Sequence, residues 1–356
     1  MSANSHDVSF DVDLTAVPPA PRRSGQWLTD LKYRLPVRYL AAWAALALLI
    51  LVSLFLAPAS MRGPSISVVT ALAGILAIAA LGQMLILMIG GIDLSVPVMV
   101  AVSAGIVIRY GLPGVDLLPV VLIALGVAVA FSLVNGFFIS VLRLNALIVT
   151  LGTLGIGTGA ITLWTGVSFS LTGAAPQALT SFARASVFNV NVCFFVALGV
   201  AAVLGVALAR TRVGRRVPAV GANRRAARTL GTRTVAIELG VFAGAGLLYG
   251  IAGVLIAGFI GTPDTSIGAP YQLATVTAAA IAGVALNGGP GSVAPVIGAS
   301  LFLQLLDQVI AIAGLPTGVG TILQGISLVV AVAAITIWQL LSTGVRRVGR
   351  ATRPRS

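Results

Sequence analysis

Ten apolar runs, near residues 39–58, 66–89, 95–109, 117–140, 146–165, 191–209, 236–260, 272–288, 294–313 and 319–341, leave this chain few ways to fold. A bilayer core of roughly 30 Å takes about twenty apolar residues per helix, and it offers no water to an unpaired backbone group. Runs of this length and spacing therefore read as helices that cross a membrane. Composition agrees: 58% of residues are hydrophobic and 9% charged, with a mean hydropathy of +1.06, which leaves little sequence for a soluble domain. The expected fold is an all-α polytopic membrane protein of about ten transmembrane helices, occupying residues 38–341. Before it, residues 1–37 carry Asp7, Asp11, Asp13 and the stretch VPPAPRRSG, without the short apolar core of a cleavable signal, and read as a disordered cytoplasmic tail. After it, 342–356 is a short basic tail.

Lysine and arginine set the orientation. With the N-terminus inside, ten crossings put Arg22, Arg23, Lys32, Arg34 and Arg38, then Arg143, then the eight arginines of 210–233 and the five beyond residue 345 on the cytoplasmic side. Those make nineteen of the 22 basic residues; Arg62, Arg109 and Arg184 fall outside. The bias predicts that both termini are cytoplasmic.

Two interruptions stand out. The apolar run before residue 90 closes on GGIDLS, where Gly90 and Gly91 permit a sharp turn and Asp93 brings a carboxylate to the start of the next helix. Asp93 and Ser95 read as the cap of a helix break, with a gate hinge and a proton-carrying carboxylate as the alternatives. Gly283, Gly288, Gly289 and Gly291 mark a second break, near 283–292, or tight helix packing. Deeper in an apolar span, Asp307 has Gln304 and Gln308 at neighbouring helical positions. These three can line a path for a hydroxyl-rich solute or hold helices together by hydrogen bonds. The longest interior loop, 210–235, contains a short helix in prospect: Asn223 caps it, Ala226, Ala227 and Arg228 propagate it, and Gly231 stops it. Its paired alanines suit close approach to another surface, so that Ala227→Glu is expected to weaken such docking without blocking insertion.

Several function classes drop out. The formal charge of +13 lies between apolar spans rather than in a basic domain, which argues against nucleic acid. A single cysteine, Cys193, and a single histidine, His6, provide neither a disulfide framework nor a metal cluster. The one lysine, Lys32 in TDLKYR, is no part of a phosphate-binding Gly-Lys-Ser/Thr loop, and no catalytic constellation is visible. Transport remains. A proton- or cation-coupled secondary transporter using Asp93, Glu238 or Asp307 is the alternative to an ATP-driven system.

The motif GxNxxAARxxG at 221–231, together with GGIDLSV, resembles the permease subunit of ribose-type ABC importers, a bacterial family dependent on an extracytoplasmic binding protein. NALIVTLGT (145–153), GVFAGAGLLYGIAGVLIAGF (240–259) and YQLATVTAAAIAGVALNGGPGSV (271–293) fit the same family in the same order, while Pro97 and Ala274 depart from its usual residues. The resemblance implies that Gly221, Asn223, Arg224, Arg225, Ala226, Ala227, Arg228 and Gly231 form the loop that sits in a cleft of a separate ATPase subunit. It further implies a second permease chain, identical or related, and a multi-pass location in the bacterial inner membrane. No cofactor is expected in this chain; ATP-Mg belongs to the ATPase partner. The solute implied is a monosaccharide or a similar polyhydroxylated compound.

Overall fold

A computed structural model describes residues 40–166, 168–169, 173–316 and 318–333. The expected tails, and the part of the last span beyond residue 333, lie outside the described residues. Thirteen described helices follow in order: α1 (Ala41–Leu56), α2 (Gly63–Met88), α3 (Val96–Tyr110), α4 (Leu117–Ser140), α5 (Ala146–Thr165), α6 (Gln177–Arg184), α7 (Val192–Arg210), α8 (Arg212–Ala222), α9 (Arg224–Thr229), α10 (Thr234–Ile260), α11 (Ala269–Ile281), α12 (Val293–Ile312) and α13 (Gly318–Ala333). A 3₁₀ turn, Pro58–Met61, joins α1 to α2, and a two-residue antiparallel hairpin, β1 (Ser186–Val187) with β2 (Val190–Asn191), precedes α7.

Six of these helices, α2, α4, α5, α7, α10 and α12, are long and apolar enough to cross a bilayer, and α1, α3 and α13 are shorter apolar helices. The chain is thus mostly helical and polytopic, but its described spans are not ten helices of full length. At 1.5 Å per residue, α3 reaches roughly 22 Å and α11 roughly 20 Å, short of the ~30 Å core. Both are completed by non-helical segments, 89–95 before α3 and 282–292 after α11. The expected span 272–288 is therefore a correction: the helix ends at Ile281, because Gly283 takes a left-handed φ of 82° and turns the chain out.

The core follows from side-chain size rather than from hydropathy, which is uniform. Helix α2 is the central post, with every residue from Ala73 to Met88 buried. Its small residues let neighbours approach: a Cβ on Gly82 would meet the Tyr249 ring of α10 at 2.7 Å. Helix α4 is peripheral. Its buried residues, Val120, Ala124, Ala128, Ser132, Asn135, Gly136 and Ser140, form one narrow stripe of mainly small or polar groups, while Leu118, Leu122, Ile123, Val134 and Phe137 are exposed. Such a helix turns its bulk to lipid and its small side to protein, because lipid is as good a solvent for leucine as a protein core.

Helix ends fall into two sets. At one end lie 57–62, 111–116, 173–191 and 261–268: Asn191 N–H donates to Thr70 Oγ1 (3.0 Å), and Ala175 N–H to Gly261 O (2.8 Å). Two of the three exceptions to the charge bias have local tasks here. Arg109 donates to Trp164 O (2.9 Å), and Arg184 donates from Nε to Phe259 O and from Nη2 to Ile260 O, each at 2.8 Å. Arg184 thereby caps the last carbonyls of α10, where a positive charge also meets the negative end of the helix dipole. Because the side chain is exposed, Arg184→Ala is expected to cost only about 1 kcal/mol. It would be read as a modest fall in thermal unfolding temperature in detergent, largely restored by lysine.

Candidate functional site

The opposite end of the bundle gathers both breaks and the basic loop. Helix α2 finishes in a paired turn in which Gly90 N–H donates to Leu87 O (2.9 Å) and Gly91 N–H to Ile86 O (3.0 Å). Gly90 sits at φ 82°, a conformation that costs glycine little, whereas Gly91 does not need it. Helix α11 stops in the same way, with Gly283 N–H donating to Ala280 O (2.9 Å) and Val284 N–H to Ala279 O (3.1 Å).

Past the first turn, Asp93 is fully buried. Its Oδ1 accepts from Ser95 N–H (2.8 Å) and from Ser95 Oγ (2.6 Å), and Ser95 Oγ in turn accepts from Asn135 Nδ2 of α4 (2.8 Å). Gln83 of α2 holds the same residue by its backbone. With the amide turned to satisfy both of its groups, its nitrogen donates to Asp93 O (3.0 Å) and Tyr249 Oη (3.0 Å), and its oxygen accepts from Asp93 N–H (3.2 Å). Asp93 thus organises the turn into α3, and α2, α4 and α10 all clamp it. Gln83, Asn135 and Tyr249 are members of this site that the sequence reading passed over; polar side chains inside otherwise apolar spans were the available signal.

The two breaks touch. Gly289 N–H donates to Met88 O (3.0 Å), bridging the end of α2 to the 282–292 segment. Gly288 and Gly289 both have left-handed φ values, 91° and 125°, and a Cβ on Gly291 would lie 3.0 Å from Met88 Sδ. The basic loop closes this junction. Gly221, near the end of α8, packs so closely that a Cβ there would fall on Met88 O and lie 3.0 Å from Gly289 N.

Within the loop, Asn223 Oδ1 accepts from Ala226 N–H (3.0 Å) and caps α9, and Gly231 follows it at φ 79°. Helix α8 was not foreseen; its inward Gly214, Val217 and Val220 recur at helical spacing among arginines. The paired alanines do not share one face. Ala227 is buried in the main core of this chain and Ala226 is exposed, so Ala227→Glu would damage internal packing, which corrects the expected docking phenotype. Arg224 is also turned inward: its Nη2 donates to Glu238 (2.6 Å) and to Ser140 O (3.2 Å). Arg225 and Arg228 are exposed.

Asp307 stands apart from this junction. Gln324 Nε2 of α13 donates to both of its oxygens, at 3.1 and 3.0 Å, so the carboxylate ties α12 to α13. Gln304 and Gln308 are partly buried nearby. A cavity of about 650 Å³ opens between the first break and α5, α11 and α13. Its lining includes Ile92, Leu94, Leu147, Gln272, Leu273 and Val329, and none of Gln304, Asp307 or Gln308.

Residues 65–332 match the family described as branched-chain amino acid transport system / permease component. Among curated proteins, the autoinducer 2 import system permease protein LsrC of Salmonella paratyphi B is 31% identical over 283 residues, covering 76% of this chain and 80% of the relative. LsrC of Escherichia coli O9:H4 is 30% identical over 291 residues (80% and 83%), and that of Enterobacter sp. strain 638 is 31% identical over 290 residues (80% and 83%). No solved structure matches the chain. The matched region runs from the start of α2 into α13 and contains both breaks and the basic loop, and so the chain belongs to this family: it is a multi-pass inner-membrane permease subunit of an ABC importer, a transport component without an ATPase site of its own.

Proposed function

We propose that the chain forms the translocation path for a monosaccharide or a similarly polyhydroxylated solute, and that loop 210–235 couples it to a separate ATPase. The observation that carries this reading is the three-way junction: Gly221 of the loop rests on Met88 and Gly289, so a push on the loop is applied directly to the ends of α2 and of the 282–292 segment. Rigid helices with non-helical joints are the parts from which a gate is made. In this reading ATP-Mg is bound by the partner, a binding protein delivers the solute from outside, and a second permease chain, identical or related, completes the channel. Ten crossings, with the junction and both termini cytoplasmic, agree with the distribution of arginine. Asp93, Ser95 and the glycines of the two breaks set the gate geometry, and the nearly apolar 650 Å³ cavity suits a conduit that passes a solute without retaining it. The named relatives import autoinducer 2, which therefore joins ribose and other pentoses among the solutes to assay.

The first test is isolation of the tagged chain from its native membranes in mild detergent, with identification of the proteins that accompany it. A nucleotide-binding subunit is expected to co-purify, and Ala226→Glu is expected to reduce its recovery at least about fivefold, a loss of about 1 kcal/mol, while the chain reaches the membrane at normal levels. Uptake that persists without ATP and collapses with the proton gradient would overturn the reading in favour of a secondary transporter.

A further inference from the structure

We propose that the pocket between the α4–α5 turn and α9 binds the phosphate group of an anionic phospholipid. Arg143, Arg224, Arg225, Arg228 and Thr229 line this cavity of about 510 Å³. Four guanidinium groups around one small space repel one another, and the acid that answers them is Glu238, paired with Arg224. That is the sole ion pair among the described residues, so three positive charges stand in excess. Arg224 is fixed in place, its Nη2 donating to Glu238 and to Ser140 O, which leaves Arg143, Arg225 and Arg228 as the uncompensated charges. This excess charge suits an anion with several acceptor oxygens, and the planar donor forks of arginine fit a phosphate best.

The setting selects a lipid as its source. Arg143 occupies the turn between two peripheral, lipid-facing helices and is flanked by Val141, Leu142 and Leu144, which are 42%, 49% and 48% exposed. Leu230, just beyond α9, is 85% exposed. Cationic heads framed by bare aliphatic side chains match the boundary between headgroups and acyl chains. Arg143 also holds a φ of 63°, a left-handed conformation unfavourable for a long side chain. Maintained strain of this kind is a mark of a functional position.

The site is compatible with ATPase docking, because the two use different sides of α9. At about 100° per residue, Arg224, Arg228, Arg225 and Thr229 fall within an arc of about 140°, and Ala226 lies outside it. A phosphate bound between Arg143 on one side and Arg225 and Arg228 on the other would pin the loop to the end of α4. Lipid charge would then set how freely the loop moves.

The full chain, purified in detergent with whatever partners accompany it, is titrated with phosphatidylglycerol, phosphatidylcholine or inorganic phosphate, and bound lipid is counted by native mass spectrometry beside thermal unfolding. Phosphatidylglycerol is expected to bind at least tenfold more tightly than phosphatidylcholine and to raise the unfolding temperature. Arg143→Asn, whose side chain tolerates the left-handed backbone, is expected to lose that preference while remaining folded, and Arg62→Gln at the other end is expected to keep it. Equal phosphatidylglycerol binding by wild type and Arg143→Asn would overturn the proposal, as would equal stabilisation by inorganic phosphate alone.

Discussion

Gly221→Val is expected to cut ATP-driven uptake at least about tenfold while the chain still enters the membrane and still recovers its ATPase. The position leaves no room for a side chain, since the first carbon would fall on Met88 O and would lie 2.9 Å from Met88 C and 3.0 Å from Gly289 N. These are backbone atoms, so relief cannot come from a rotamer change; the end of α2 or the 288–289 turn has to move. Overpacking of this kind costs about 1–3 kcal/mol. Loss of the Gly289 N–H to Met88 O bond adds about 1 kcal/mol, and every 1.36 kcal/mol displaced onto the gating equilibrium is about a factor of ten. Gly126→Val on α4 is the matched control, because a Cβ there meets nothing within 4 Å. Uptake is measured in vesicles loaded with ATP and normalised to chain content. Normal uptake by Gly221→Val would show that the junction does not carry the coupling.

The sequence made some of this junction readable and hid the rest for physical reasons. Crossing segments are visible because lipid demands long apolar runs, but apolarity does not say which segments are central. Helices α2 and α4 are both predominantly apolar, yet one is buried on all sides and the other along a single stripe; the difference lies in where the small residues sit. The breaks were legible from paired glycines, although in the first pair Gly90, and not Gly91, needs the left-handed conformation. Their meeting with the basic loop was not legible. That contact is made by backbone atoms of Met88, Gly221 and Gly289, and backbone contacts leave no side-chain signature except the absence of one. The cap at Asn223 could be read from local chemistry. The direction in which Ala226 and Ala227 face could not, because it is fixed by the docking of α9 on the rest of the bundle. Helix α8 was obscured because its arginines mask the inward Val217 and Val220.

Asp93 separates a structural gate from a charge-carrying one, through two substitutions with opposite expected outcomes. In Asp93→Ala, the N–H and hydroxyl of Ser95 both lose their acceptor in a buried setting, and the Ser95 oxygen that receives Asn135 loses its orientation. Each buried group left unpaired costs about 1–3 kcal/mol, so the turn into α3 is expected to lose about 2–6 kcal/mol and uptake to fall below a tenth of wild type. Asp93→Asn keeps a carbonyl oxygen at the position of Oδ1 and removes only the capacity to carry a negative charge. Its amide replaces Oδ2, which has no hydrogen-bond partner among the described residues, and Asn135 Oδ1 nearby in the same network also has none. The asparagine variant is therefore expected to retain at least about half of wild-type uptake, a change within about 0.4 kcal/mol. Loss of uptake in Asp93→Asn as complete as in Asp93→Ala, at equal chain content, would make the charge rather than the hydrogen bonds the working property. The break would then be a site of proton or cation exchange, since Ser95, Asn135 and Gln83 would hold a neutral amide as well as they hold an acid.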